Sequence, residues 1–153
     1  MSAEDRLTSL SIELPAAPKP LGLYKPAVIC GDLVYLSGHG PLRNDGTLIT
    51  GRLGGNMDVA AGQAAARQTG LAMLATLKAT LGSLDRVTRV IKLLALVQST
   101  DEFGEQPNVV NGCSQLFSDI FGPENGISAR SALGTNALPG DIAVEIEGIF
   151  EFK

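Results

Sequence analysis

The stretch ISARSALGTNALPGDIAVEIEGIFEF, residues 127–152, decides how the rest of this chain is read. Two strand-forming segments, ARSALG and DIAVEIEGIFEF, are joined by TNALPG, whose Asn, Pro and Gly interrupt regular structure. In the second segment Glu145 and Glu147 sit two apart, so a strand points both to one face and sends Val144, Ile146 and Gly148 to the other. Arg130 lies among small residues in the first segment. A guanidinium is charged in any protein setting and offers a planar fork that matches a carboxylate. Two readings are open: Arg130 grips an anionic ligand, or it pairs with Glu145 or Glu147 across neighbouring strands.

Upstream, Ala66, Gly70, Met73, Leu74, Leu77 and Leu81 recur at steps of three and four, the apolar stripe of a helix. Asp58 is its N-cap and Gly82 its stop. RVTRVIKLLALVQS, 86–99, is β-branched and apolar, the mark of a long central strand. A second helix covers about 105–121, with Val109, Cys113, Leu116, Phe117 and Ile120 on its core face and Asn108, Asn111 and Gln115 on a polar side. AVIC and LVYLSG flank a Gly-Asp pair, so 27–38 reads as a β-hairpin. PLRNDGTLITGRLGGN reads as a loop with a short strand at 48–50. SAEDRLTSL makes a short helix with Ser2 as N-cap, ended by the prolines of LPAAPKPLG.

The order β–β–(β)–α–β–α–β–β describes an α+β domain with two helices on one face of a mixed or mainly antiparallel sheet. Two helices cover one face only. A second copy of the chain is the economical cover for the other, which predicts a homo-oligomer. The 153 residues are most simply an N-terminal extension, 1–20, and one domain, 21–153. No apolar run is long enough for a membrane span, and MSAEDRLTSLSIELP lacks the basic and apolar regions of a secretory signal, so a cytoplasmic protein is expected.

Twelve basic residues against sixteen acidic ones give a net charge of −4, and the basic residues form no block. A protein that works by neutralising phosphates clusters its Lys and Arg, so nucleic acid is an unexpected partner. One histidine, His39, and two cysteines without CxxC spacing are too few for a zinc site. Cys30 and Cys113 stand in apolar contexts and read as buried thiols. His39 has no Ser or Cys nucleophile partner and reads as a loop residue. The glycines of GRLGGN match no phosphate-loop spacing. Glu145 either activates a water from a half-buried position or lies on a solvated strand face. Tyr24 and Asn111 are unremarkable alone, and LSGHG, 36–40, ends a strand with small residues that let a ligand approach the backbone.

Taken together, LGLYKPAVICGDLVYLSGHGPL, VNGCSQLF and ARSALGTNALPGDIAVEIEGI resemble the RidA (YjgF) family of reactive-intermediate deaminases, from about residue 20 to the C-terminus. The resemblance implies a chorismate-mutase-like fold and a homotrimer whose sheets enclose a central barrel, with clefts between subunits. It implies cofactor-free hydrolysis of enamine and imine acids to 2-keto acids and ammonia, with no metal. By the same resemblance Arg130 clamps the substrate carboxylate and Glu145 serves the attacking water. Tyr24, Asn111, Ser37 and Gly38 line the cleft, while Glu147 is structural. The chain departs from the family pattern at Ala132, where many members have cysteine, at His39 in place of glutamine, at Ser128 and at Asn136. The extension and the insertion GRLGGNMD make it longer than compact members, and packing across the trimer edge is expected of residues 1–20. Two other readings compete: a non-catalytic binder of small carboxylates, and an endoribonuclease, the label often given to this family, which the acidic balance disfavours.

Overall fold

Asp58 accepts a hydrogen bond from the Ala61 N–H at 2.8 Å and opens helix α2 (Val59–Leu81), which Gly82 ends in a left-handed conformation. In the computed structural model, which describes residues 1–153, the expected stripe on this helix is buried from Ala66 to Leu81. The remaining elements, in chain order, are α1 (Ala3–Ser9), β1 (Ala27–Cys30), β2 (Leu33–His39), β3 (Val87–Gln98), α3 (Gln106–Phe121), the single turn α4 (Pro123–Gly126), β4 (Ala129–Thr135) and β5 (Val144–Phe152).

The five strands form one sheet in the order β1-β2-β5-β3-β4. All neighbours are antiparallel except β3 and β4, which are parallel. Although TNALPG joins β4 to β5 in the chain, the two strands are not neighbours, because β3 lies between them. The segment β3–α3–α4–β4 is a crossover, and a crossover through helices delivers the next strand parallel to the first. β5, with Val144, Ile146 and Phe150 fully buried, takes the central position that its strict alternation demands. The Ala- and Gly-containing β4 takes the edge.

Helices α2 and α3 pack on one face of the sheet, where Leu93, Ala95, Val97, Val144, Ile146 and Phe150 meet Met73, Leu77, Cys113 and Phe117 in one core cluster. The helices approach closely at Gly112, where an added Cβ would collide with the Gln63 backbone carbonyl. That carbonyl belongs to the rigid α2 ladder and cannot swing aside. Gly112→Ala is expected to lower stability by about 1–3 kcal/mol, read as a lower urea midpoint.

The segment expected to be a loop is anchored at several points. Isolated bridges pair Leu42 with Leu48, Thr50 with Ile142 and Leu53 with Ser99, so the strand expected at 48–50 is reduced to single bridges. Leu53 is fully buried. The Gln98 side chain, 1% exposed, donates to the Gly51 carbonyl at 2.9 Å and to Asp141 Oδ1 at 2.6 Å, and accepts from the Leu138 N–H at 2.8 Å. One amide thereby ties the loop at Gly51 to the link between β4 and β5.

Helix α1 has the expected Ser2 cap, closed as a box with Asp5. It buries Ala3 and Leu7 in the core cluster, against α3 and the turn at Leu84–Arg86. Glu4 fixes it there through Lys78 Nζ at 2.7 Å and the Leu84 N–H at 3.0 Å. The second face of the sheet carries no helix, and Val28, Tyr35 and Leu133 on it are 51%, 43% and 51% exposed. No helix of the chain is long and apolar enough to cross a membrane.

Candidate functional site

Arg130 stands in register with Leu93 of β3, whose side chain is buried on the helix-covered face. Its guanidinium therefore turns toward α3. Nη1 donates to Ser114 Oγ at 3.0 Å, and Nη2 donates to Asn111 Oδ1 at 2.8 Å and to the Pro107 carbonyl at 3.3 Å. Asn111 and Ser114 are three residues apart on a helix and so present the same face to the arginine. No acid pairs with it, since the ion pairs of this chain are Lys78–Glu4 and Arg89–Glu151. The pairing with Glu145 or Glu147 that the sequence left open is not formed, because β3 separates the strands. Neutral partners occupy three of the five N–H groups. They aim the fork without cancelling its charge.

Glu145 stands in register with Leu96 of β3, on the uncovered face. It lines a cavity of about 700 Å³ together with Tyr24, Ser37, Gly38 and His39. The pairing of β2 with β5 slips between Leu36 and His39, and Gly38 falls in that irregularity. A Cβ at Gly38 would run into the Glu145 carboxylate, so glycine is what leaves room for it. Ser37 Oγ donates to the Lys25 carbonyl at 2.6 Å, and the Tyr24 hydroxyl accepts from the Leu21 N–H at 3.3 Å. Burial, and then the like charge of Glu147, push the Glu145 carboxyl above its ordinary range. Glu147 itself is exposed.

The six expected site residues thus fall into two groups. Arg130 and Asn111 share one cavity, and Tyr24, Ser37, Gly38 and Glu145 share another. The partners of Arg130 and Glu145 on β3, Leu93 and Leu96, are an odd number of positions apart, so they face opposite sides of the sheet. Within one chain the arginine and the glutamate cannot meet in one cleft.

Two readings of single residues are corrected. His39 is not a loop residue: it ends β2 and is 4% exposed. Its Nδ1 lies 2.6 Å from the Ser37 carbonyl, which can only accept, so the proton is on Nδ1. Nε2, 2.8 Å away from Thr76 Oγ1, then accepts from the threonine hydroxyl. Thr76, one turn before Thr80 on α2, gave no periodic signal because a buried threonine reads as polar. Cys30 is exposed at the end of edge strand β1, where the second sheet face lacks cover. Cys113 is buried as expected, and burial holds its thiol at about 12 despite the nearby Arg130 charge.

Burial also lowers the His39 pKa below its ordinary value near 6.5. The unfolded chain then binds the extra proton, so the stabilisation is present above about pH 6.5 and is lost as pH falls toward the depressed folded value. As His39 is the only histidine, comparing wild type with His39→Gln isolates the effect. The wild-type urea midpoint should drop more than that of the variant between about pH 6.5 and 5.

Comparisons with known proteins fit this architecture. The family described as "YjgF/chorismate_mutase-like, putative endoribonuclease" matches residues 4–144. Protein TCP17 of Trypanosoma cruzi is 43% identical over 147 residues, covering 96% of this chain and 92% of that protein. A 2-iminobutanoate/2-iminopropanoate deaminase of Dermatophagoides farinae is 30% identical over 139 residues, covering 90% and 92%. The crystal structure of Atu1372 from Agrobacterium tumefaciens, a protein of unknown function, superposes with a TM-score of 0.88 at 41% identity, over 98% of this chain and 91% of that one. With this mixed sheet and its helices on one face, the chain has the chorismate-mutase-like fold and belongs to the YjgF/RidA family.

Proposed function

We infer that this protein hydrolyses short-lived 2-imino and 2-enamino acids to 2-keto acids and ammonia, at clefts between copies of the chain arranged as a homotrimer. One observation carries the reading: Arg130 is held by neutral groups without a counter-charge, while Glu145 lies on the opposite sheet face, which no helix covers. The relative from Dermatophagoides farinae, named as an iminobutanoate and iminopropanoate deaminase, supports the same chemistry.

In this reading the substrate carboxylate supplies the missing negative charge at Arg130, and the two N–H groups left by Ser114, Asn111 and Pro107 bind it. The partner copy brings Glu145, whose raised pKa makes its carboxylate a stronger base than a solvated one. It takes a proton from a water that attacks the imine carbon. The resulting carbinolamine collapses, its C–N bond breaks and ammonia leaves, so R–C(=NH₂⁺)–COO⁻ and H₂O become R–C(=O)–COO⁻ and NH₄⁺. An iminium is already electrophilic, so orientation and one acid/base group supply what the step needs.

The two-chain requirement has a direct test. Arg130→Ala and Glu145→Gln are each expected to be nearly inactive on freshly generated 2-aminoacrylate. Unfolded together and refolded as a 1:1 mixture, they place an intact arginine opposite an intact glutamate at about one interface in four, as random assembly of a closed ring requires. Ammonia release should return to about a quarter of the wild-type rate. A mixture as inactive as its parents, with hybrid oligomers verified by mass, defeats the shared-cleft reading.

A further inference from the structure

The cavity that holds Arg130 contains a second guanidinium that the deamination mechanism does not use. Arg67 of α2 lines the same space of about 700 Å³ as Arg130 and Asn111. No carboxylate lines this cavity, and Arg67, partly buried, has neither an ion-pair partner nor a hydrogen bond within the chain. Ser128 is also on the wall, and its hydroxyl is the one buried side-chain oxygen of the chain that lacks a partner. Gln63, one turn before Arg67, gives its side-chain amide to the Asn108 carbonyl and so links α2 to α3 beside the cavity. A wall with two positive charges and no negative one is built for more negative charge than a single carboxylate carries.

We propose that this cleft takes 2-keto and 2-imino acids bearing a second carboxylate on the side chain, with the α-carboxylate on Arg130 and the distal one on Arg67. The proposal rests on Arg130 as the carboxylate clamp and adds the substrate class. A monoacid would leave the Arg67 charge uncompensated inside a partly desolvated cavity, whereas a diacid pairs it. Arg67 is therefore the residue that selects acidic side chains.

Stable 2-keto acids test this without chemistry. By isothermal titration calorimetry the intact wild-type assembly should bind 2-oxoglutarate on the order of tenfold more tightly than 2-oxobutanoate, as one added hydrogen-bonded charge pair supplies. Arg67→Gln should bring the two affinities together, and Arg67→Lys should retain part of the preference. Arg130→Ala should weaken both ligands. Equal affinities in the wild type, or a preference that survives in Arg67→Gln, overturn the assignment of Arg67 while leaving the Arg130 clamp standing. Failure of the wild type to bind either acid, or unchanged binding in Arg130→Ala, overturns the clamp and the proposal with it.

Discussion

Arg130→Ala will lose nearly all acceleration of ammonia release from 2-aminoacrylate, and the loss will exceed that of any other single change in its cavity. A hydrogen-bonded charge that meets an opposite charge in a cleft closed by the ligand costs about 2–5 kcal/mol to remove, roughly thirtyfold to several thousandfold in binding. Upper-range values are expected because the guanidinium is pre-aimed by Ser114, Asn111 and Pro107, so little ordering is needed when the ligand arrives. Arg130→Lys keeps the charge but cannot reproduce the three-way anchoring or the fork, and should fall between wild type and Ala. The measurement is the initial rate with freshly generated 2-aminoacrylate against the uncatalysed background. An alanine variant with the wild-type rate removes Arg130 from the mechanism.

Glu145→Gln should lower the rate by about a hundredfold to ten-thousandfold, the range of a lost general base. Glutamine keeps the shape beside Gly38 and loses only the proton acceptor, so the fold is preserved. The pH dependence follows from the same burial. The folded carboxyl titrates above its ordinary value near 4.5, so the wild-type rate should decline as pH falls through that raised value, and the variant should show no such limb. Stability runs the other way. A group whose folded pKa is raised stabilises the native state below its unfolded pKa and loses that contribution as pH rises through the folded one. Glu145→Gln should therefore unfold at higher urea than wild type at neutral pH while being far less active. A variant that is both less active and less stable would mark Glu145 as a packing residue.

Element types and most boundaries were legible because they rest on local chemistry. Asp58 and Gly82 end α2 through a side-chain cap and a left-handed backbone, both properties of single residues. The core faces of α2 and α3 followed from spacing, and the opposite faces of Glu145 and Ile146 from the period of a strand. Ser114 was within reach of the same logic, three residues from Asn111 on one helix. His39 was not: its burial depends on Thr76, 37 residues away, reaching it across the layer between sheet and helix. Nor was Gln98, whose amide serves three backbone or side-chain partners in two distant loops.

By itself, the sequence determined an α+β chain of this family and its helix and strand positions, and it singled out Arg130 and Glu145 as candidates for binding and for water activation. The element positions depend on periodicity and capping, which act over a few residues, and the family on the likeness of its motifs. Strand order was decided only in the tertiary structure, because the crossover through α3 carries β4 to the far side of β3 and leaves TNALPG to bridge strands that never pair. That order sets Arg130 and Glu145 on opposite faces of one sheet, and it brings Arg67 of α2 to the wall that holds Arg130. Side-chain direction relative to a layer is a property of which strands lie side by side, and no local pattern encodes it.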